Sequence, residues 1–231
     1  AKMGFIRNLS AAEITGQVLA AAFDAEGSAE GLSNVVYMGM GEPLLNYDNV
    51  VKSVKIINCP KAFNVSMRKI TVSTAGVAPM MKKLMNENMP ITLALSLHAP
   101  TDALRDKLVP LNRKYNIKCL MDAVKTYART TGRRVTIEYV LIDNVNDKKS
   151  DAVKLAELLK NTLCHVNLIP MNKTEGGFSA PLKSKISEFK NILVRSGINA
   201  TVRSSRGQDI NAACGMLYRE MKRARADGEN I

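Results

Sequence analysis

Apolar and polar positions along the chain fall into two alternating patterns: short runs of β-branched and aliphatic residues, and longer stretches with helical periodicity. The run Val35-Val36-Tyr37-Met38 leads straight into Gly39-Met40-Gly41-Glu42-Pro43. It predicts a buried strand that stops abruptly and presents backbone and one carboxylate at its tip. Further strands are expected over residues 68–73, 91–98, 134–142, 164–169 and 199–203. Between them lie helical segments. Ser10 and Glu13 have the spacing of a capping box, and Ile14, Val18, Leu19, Ala22 and Phe23 then fall on one stripe. Helices are also expected over 48–58, with Val50, Val51, Val54 and Ile57 inward, over 78–88 before Pro90, and over 118–129, 148–159 and 182–196. Thr101 can cap a short helix to Leu108, and Gly197 is placed to end the last long one.

Strands separated by helices of this length pair in parallel through right-handed crossovers. The expected fold is α/β, a (β/α) barrel or part of one, with polar residues gathered where the strands end. The chain opens on a helix with no strand before it, so it is expected to begin inside a domain. Residues 1–205 should form the barrel, and 206–231 a C-terminal loop and helix of that same domain.

Composition narrows the partners. Lysine and arginine total 33 against 21 acids, a net charge of +12. An excess of this size suits a polyanion, since neutralised phosphates release counterions. A lysine-rich soluble enzyme accounts for it equally well. With 5 Phe, 6 Tyr and no Trp, single-strand binding by base stacking is disfavoured. Nothing approaches the roughly 18 apolar residues of a membrane span, and no signal peptide opens the chain; a cytoplasmic protein is expected. The 4 cysteines, Cys59, Cys119, Cys164 and Cys214, form no C-x-x-C pair. No zinc or iron–sulfur site can be read from them, and three look structural. The basic run 222–225 reads as a solvated helix end.

Chemistry is concentrated at the strand ends. Gly39 to Pro43 offers glycines for close backbone approach and a carboxylate for a cation; it is neither a Walker loop nor a dinucleotide fingerprint. Ser73, Ser96 with His98, and Asn172 each lie at or just past a strand's C-terminal end. Singly, each reads as a loop polar group or local cap; together with Glu42 they should line one barrel mouth. Cys214 sits in a loop of small residues, Ala212-Ala213-Cys214-Gly215, which would leave its thiol accessible. Arg203 and Arg206 lie close enough in sequence to favour a thiolate or a phosphate.

These segments together resemble the radical S-adenosylmethionine RNA methyltransferases of the RlmN family. The matching stretches are Gly4-Phe5-Ile6-Arg7-Asn8-Leu9, Met38 to Leu44, Thr71 to Gly76, Ser96-Leu97-His98-Ala99-Pro100 and Arg206 to Gly215. They span essentially the whole chain, in the family's order. The resemblance implies a partial (β/α) barrel of the radical SAM type and methylation of adenine carbon 2 in 23S rRNA and tRNA. It implies that Gly41, Glu42, Ser73, Ser96, His98 and Asn172 bind S-adenosylmethionine. It further implies that Cys214 accepts a methyl group from a first S-adenosylmethionine. A second, cleaved reductively, gives a 5′-deoxyadenosyl radical that takes hydrogen from that S-methyl group. The expected partners are 23S rRNA, tRNA and an electron donor, with no membrane, and the expected state is a monomer.

The resemblance also implies a [4Fe-4S] cluster held by a C-x-x-x-C-x-x-C motif, which would end three residues before Ala1 and is not in these residues. On that basis the barrel's first strand and cluster loop are missing, and the 231 residues are expected to hold no cluster and to be inactive alone. Two other readings differ in class. A non-catalytic RNA-binding barrel would bind RNA without affinity for S-adenosylmethionine. A metal-independent barrel enzyme acting on a phosphorylated metabolite would bind phosphate near Arg203 and Arg206 and would not need Cys214.

Overall fold

The computed structural model describes residues 5–26, 32–38, 41–171 and 178–203. Within them lie the strands β1 (Val35–Tyr37), β2 (Ile70–Thr74), β3 (Thr92–Ser96), β4 (Val135–Leu141), β5 (Cys164–Pro170) and β6 (Ala200–Val202). The helices are α1 (Ala11–Glu26), α2 (Tyr47–Asn58), α3 (Ala78–Leu84), α4 (Asp102–Leu108), α5 (Ile117–Thr131), α6 (Lys149–Leu159) and α7 (Lys183–Arg195). All six strands pair in parallel and in sequence order. The sheet runs from β1 to β6 without closing on itself, as the partial barrel expected from the sequence requires.

Its two faces differ. Ile70, Val72, Leu93, Leu95, Val135, Ile137, Tyr139, Leu141, Val166 and Leu168 join the helices in one core. Because side chains alternate along a strand, the other face carries Thr71, Ser73, Ala94, Ser96, Thr136, Glu138, His165, Asn167 and Thr201. That face is polar, whereas a parallel sheet covered on both sides is apolar on both.

Helix ends follow the local chemistry. At the start of α1 the Ser10 N–H donates to Glu13 Oε2 at 2.8 Å and the Glu13 N–H to Ser10 Oγ at 3.2 Å, a reciprocal capping box. After α7, Gly197 adopts φ +80° one position beyond the cap at Ser196. The N–H groups of Gly197 and Ile198 then reach back to the carbonyls of Val194 and Leu193. Two local expectations are corrected. The stripe of α1 does not include Leu19 and Phe23, which are 43% and 57% exposed. Ala22 is buried as expected, Ile14 and Val18 pack against the core, and Ala11 and Thr15 complete the buried face, so the stripe is narrower than expected and leaves out its Leu19 and Phe23 edge. Thr101 has the extended backbone of an N-cap but no capping hydrogen bond from its side chain. Asp102 instead accepts the N–H of Ile117 at 2.8 Å, which fastens the start of α4 to the start of α5.

Candidate functional site

Gly41 has φ +96°, yet a Cβ there would meet nothing within 4 Å. Glycine is therefore favoured at this position by backbone conformation. Glu42 follows, and both its oxygens are held by backbone: Oε1 accepts from Leu44 N–H at 3.1 Å and Oε2 from Ala75 N–H at 2.7 Å. The carboxylate is thus fixed between the tips of β1 and β2. A carboxylate has about four acceptor sites, so two remain for a cationic ligand.

Ser73 and Ser96 both lie on the polar face, at different depths. Ser73 aligns with Ala94, so Ser96 stands one same-face position nearer the C-terminal rim. Neither hydroxyl has a hydrogen bond among the described residues. Ser96 aligns with Glu138, Glu138 with Asn167, and Asn167 with Thr201, which makes one polar row across four strands. Asn167 Nδ2 donates to Glu138 Oε2 at 2.9 Å, and Glu138 is only 4% exposed. Burial raises the Glu138 carboxyl above the usual range, against the opposing influence of Asn167 and Arg203.

His98 sits just past β3 with φ +59°, a left-handed backbone rarely adopted by residues other than glycine. Its N–H and that of Leu97 both donate to the Glu138 carbonyl, at 3.4 and 3.0 Å. Its ring Nδ1 accepts the Val140 N–H at 3.2 Å. Burial, and after it the charge of Arg105, push the imidazole down to about 4 against the Glu138 carbonyl, so the ring is neutral at physiological pH.

Behind this rim lies Arg105, wholly buried. Its Nε donates to Leu97 O at 3.0 Å, and Nη2 to Ala75 O at 2.6 Å and Ser96 O at 3.0 Å. Nη1 donates to Asn112 Oδ1 at 3.1 Å, and Asn112 Nδ2 in turn to Asp102 and Asp106 at 2.9 and 2.7 Å. One guanidinium therefore ties the ends of β2 and β3 together and gathers the β3 turn onto α4.

The structure thus brings Gly41, Glu42, Ser73, Ser96 and His98 to one side and one end of the sheet. Asn172 and Cys214 lie outside the described residues, as do Arg206 and the boundary at 205. Sequence reasoning missed Glu138, Asn167, Arg105 and Asn146. The donor and acceptor set fits S-adenosylmethionine: a fixed carboxylate for an ammonium, two unpaired hydroxyls and a neutral imidazole. A [4Fe-4S] cluster is different. Among the described residues no group of three or more His, Cys, Asp or Glu could hold a metal ion. Cys59, Cys119 and Cys164 are separate free thiols, and burial pushes Cys164 up to about 11, as suits a structural thiol.

Comparison with known proteins shows the family. The family model of the Radical SAM superfamily matches residues 5–158. The chain belongs to the radical SAM superfamily. Within it, the chain is 52% identical over 219 residues to the probable dual-specificity RNA methyltransferase RlmN of Thermotoga neapolitana, covering 95% of this chain and 63% of that protein. The protein of the same name from Syntrophomonas wolfei is 50% identical over 226 residues, with 95% and 63% covered. A crystal structure of a radical SAM methyltransferase from Sphaerobacter thermophilus superposes with a TM-score of 0.89 at 51% identity, covering 93% of this chain and 63% of that one. A domain of the pyruvate-formate lyase-activating enzyme from Bacteroides vulgatus, 19% identical with a TM-score of 0.60, shares the fold. The chain therefore spans about 63% of the length of the relatives it matches. No helix among the described residues is long and apolar enough to cross a membrane.

Proposed function

We propose that this chain is the cofactor-binding barrel of an RNA methyltransferase that modifies carbon 2 of adenine in 23S rRNA and tRNA. The observation that carries the reading is the Glu42 carboxylate, fixed by the N–H groups of Leu44 and Ala75 at the same rim as Ser96 and His98. That arrangement suits the ammonium of a methionine moiety, and the identity to proteins named RNA methyltransferases supports the substrate class. The charge of +12 is in keeping with a polyanionic substrate.

The chain's own residues divide the work. Glu42 accepts hydrogen bonds from the ammonium, and Gly41 lets the backbone turn so that the carboxylate meets it. Ser73 and Ser96 offer hydroxyls to the polar groups of the ligand, Asn172 adds an amide, and His98 presents a neutral ring. Cys214 holds the methyl group as a thioether before its transfer to RNA. Bound S-adenosylmethionine supplies the methyl group and the radical chemistry that an electron-poor ring carbon demands. The electron donor, a cytoplasmic location and a monomeric state belong to the same proposal. No step is assigned to residues that would hold the iron–sulfur cluster.

The test is methylation by the complete product of the gene. It would be assayed anaerobically with S-adenosylmethionine, a reductant and a 23S rRNA fragment, with the nucleosides resolved by mass spectrometry. 2-Methyladenosine from the native protein and none from Cys214→Ala is the expected result. Methylation that survives Cys214→Ala, or a product other than 2-methyladenosine, overturns the reading.

A further inference from the structure

Asn146, wholly buried, lies beside the rim, and the cofactor-binding set does not include it. It lies in the turn between β4 and α6. Its Nδ2 donates to His98 O at 2.8 Å and to Val140 O at 2.7 Å, and its Oδ1 accepts from Ile142 N–H at 2.8 Å. Its own carbonyl accepts the hydroxyl of Tyr139, a core residue, at 2.9 Å. One amide therefore satisfies all its hydrogen-bonding groups on backbone and is itself anchored to the core.

The two residues it joins are the two partners of the ring contact. Val140 donates its N–H to Nδ1 of His98 at 3.2 Å, and the Asn146 amide bridges the carbonyls of those same residues. It thereby sets the distance between the strand that offers the N–H and the turn that carries the imidazole. That turn also holds φ +59°, a conformation a non-glycine residue keeps only when its surroundings impose it. An Nδ1 that accepts a backbone N–H carries no proton, so the proton of the neutral ring must reside on Nε2.

We propose that Asn146 is a positioning residue that holds His98 in the Nε2–H tautomer, so that its ring donates a hydrogen bond to the bound ligand. The proposal rests on the reading of His98 as part of the cofactor-binding rim. It identifies the hydrogen-bonding role of that ring, a donor with no charge. The chemistry it fits is an acceptor oxygen or ring nitrogen, and it is ill suited to a group that must itself donate. The competing arrangement is a ring that carries its proton on Nδ1 instead; the Glu138 carbonyl, which raises the pKa of the ring, is an acceptor near it. In that case Nε2 would be an acceptor.

The chain has 2 histidines, His98 and His165, so two-bond proton–nitrogen correlation spectra of 15N-histidine-labelled protein resolve both rings, with His165→Asn giving the assignment. In the native protein His98 should show a single Nε2–H tautomer with an unprotonated Nδ1. A native ring protonated on Nδ1 overturns the proposal before any variant is made. Asn146→Ala should give a mixture of tautomers and a titration about one unit closer to that of a free imidazole. Asn146→Asp, nearly the same size but without the Nδ2–H donors, should do the same. If the variants melt like the native protein and leave the tautomer unchanged, the role is structural only and the proposal fails. Should the alanine variant not fold, the native spectrum and the aspartate variant still decide. Titration of S-adenosylhomocysteine separates the two readings. A loss of about tenfold in Asn146→Asp and in His98→Ala is expected. Unchanged binding in His98→Ala overturns the rim assignment even if the tautomer is as stated.

Discussion

Glu42 and Arg105 grip the same residue from opposite ends: Glu42 Oε2 accepts the Ala75 N–H at 2.7 Å, and Arg105 Nη2 donates to the Ala75 carbonyl at 2.6 Å. The β2 tip is thereby suspended between the loop after β1 and the turn after β3. The Glu42 carboxylate is positioned by a buried cation it does not touch. Burial pushes Arg105 down to about 10, with Asp102 and Asp106 opposing, so the guanidinium stays charged at neutral pH.

Removing that guanidinium should be costly. Arg105→Ala leaves the carbonyls of Ala75, Ser96 and Leu97 and the Asn112 amide without their donor, and each orphaned buried group costs about 1–3 kcal/mol before relaxation. A net loss of about 3–5 kcal/mol is expected. Arg105→Lys should recover only part of it, since one ammonium cannot reproduce the planar fork. Urea unfolding of the two variants measures both losses. A lysine variant as stable as the native protein would show that the geometry of the fork does not matter.

Glu42→Gln keeps the shape of the side chain and removes its charge. The amide can still accept one backbone N–H but must turn its NH2 towards the other, and it no longer attracts an ammonium. A charged hydrogen bond contributes about 1.5–3 kcal/mol, so affinity for S-adenosylhomocysteine should fall by about 10- to 150-fold. Calorimetric titration reads the affinity, and a thermal melt confirms the fold. Equal affinity in the variant would remove Glu42 from the ligand's ammonium.

Much of the architecture was legible because the strands are short segments rich in aliphatic and β-branched residues, separated by stretches of helical periodicity. β3 and β4 came out within one or two residues of their expected ends. What was not read was the meaning of polar residues at alternate strand positions. Thr136 and Glu138 in β4, and His165 and Asn167 in β5, interrupt runs that should be apolar on both faces if helices covered both. That period-2 signal marks the open face of the sheet and was available in the sequence. Arg105 was not. In a short helix an arginine reads as surface, and its burial depends on carbonyls that only the fold brings to it. Asn146 was hidden for the same reason: its partners are backbone groups, which carry no side-chain signature.

The two glycines at the strand tips should respond differently to alanine. A Cβ on Gly76 would lie 2.6 Å from Leu120 Cδ2 at φ +109°, whereas Gly41 has only the φ of +96° against it. Gly41→Ala should cost about 1–3 kcal/mol of backbone strain. Gly76→Ala should cost that and a further penalty of about 1–3 kcal/mol for overpacking against α5. Combining Gly76→Ala with Leu120→Ala should give less than the sum of the two single losses. Strict additivity in unfolding measurements would mean that the contact is not what limits position 76.

Acid should weaken the fold through His98. Its folded value is about 4, below the roughly 6.5 of a free imidazole. Between those values the unfolded chain binds the proton more readily, so stability is full above about pH 6.5 and declines as pH falls towards 4. Linkage gives about 2 kcal/mol lost by pH 5 for this one group. Glu138 works in the opposite sense, because its raised folded value means that the native state takes up a proton first. His165 is also lowered by burial and adds to the acid loss. The comparison that isolates His98 is therefore with His98→Gln, whose amide is neutral at every pH. Urea unfolding at pH 7 and pH 5 should show the native protein losing about 2 kcal/mol more than the variant. Equal losses would mean that His98 titrates alike in both states, and that burial and Arg105 do not depress it in the folded protein.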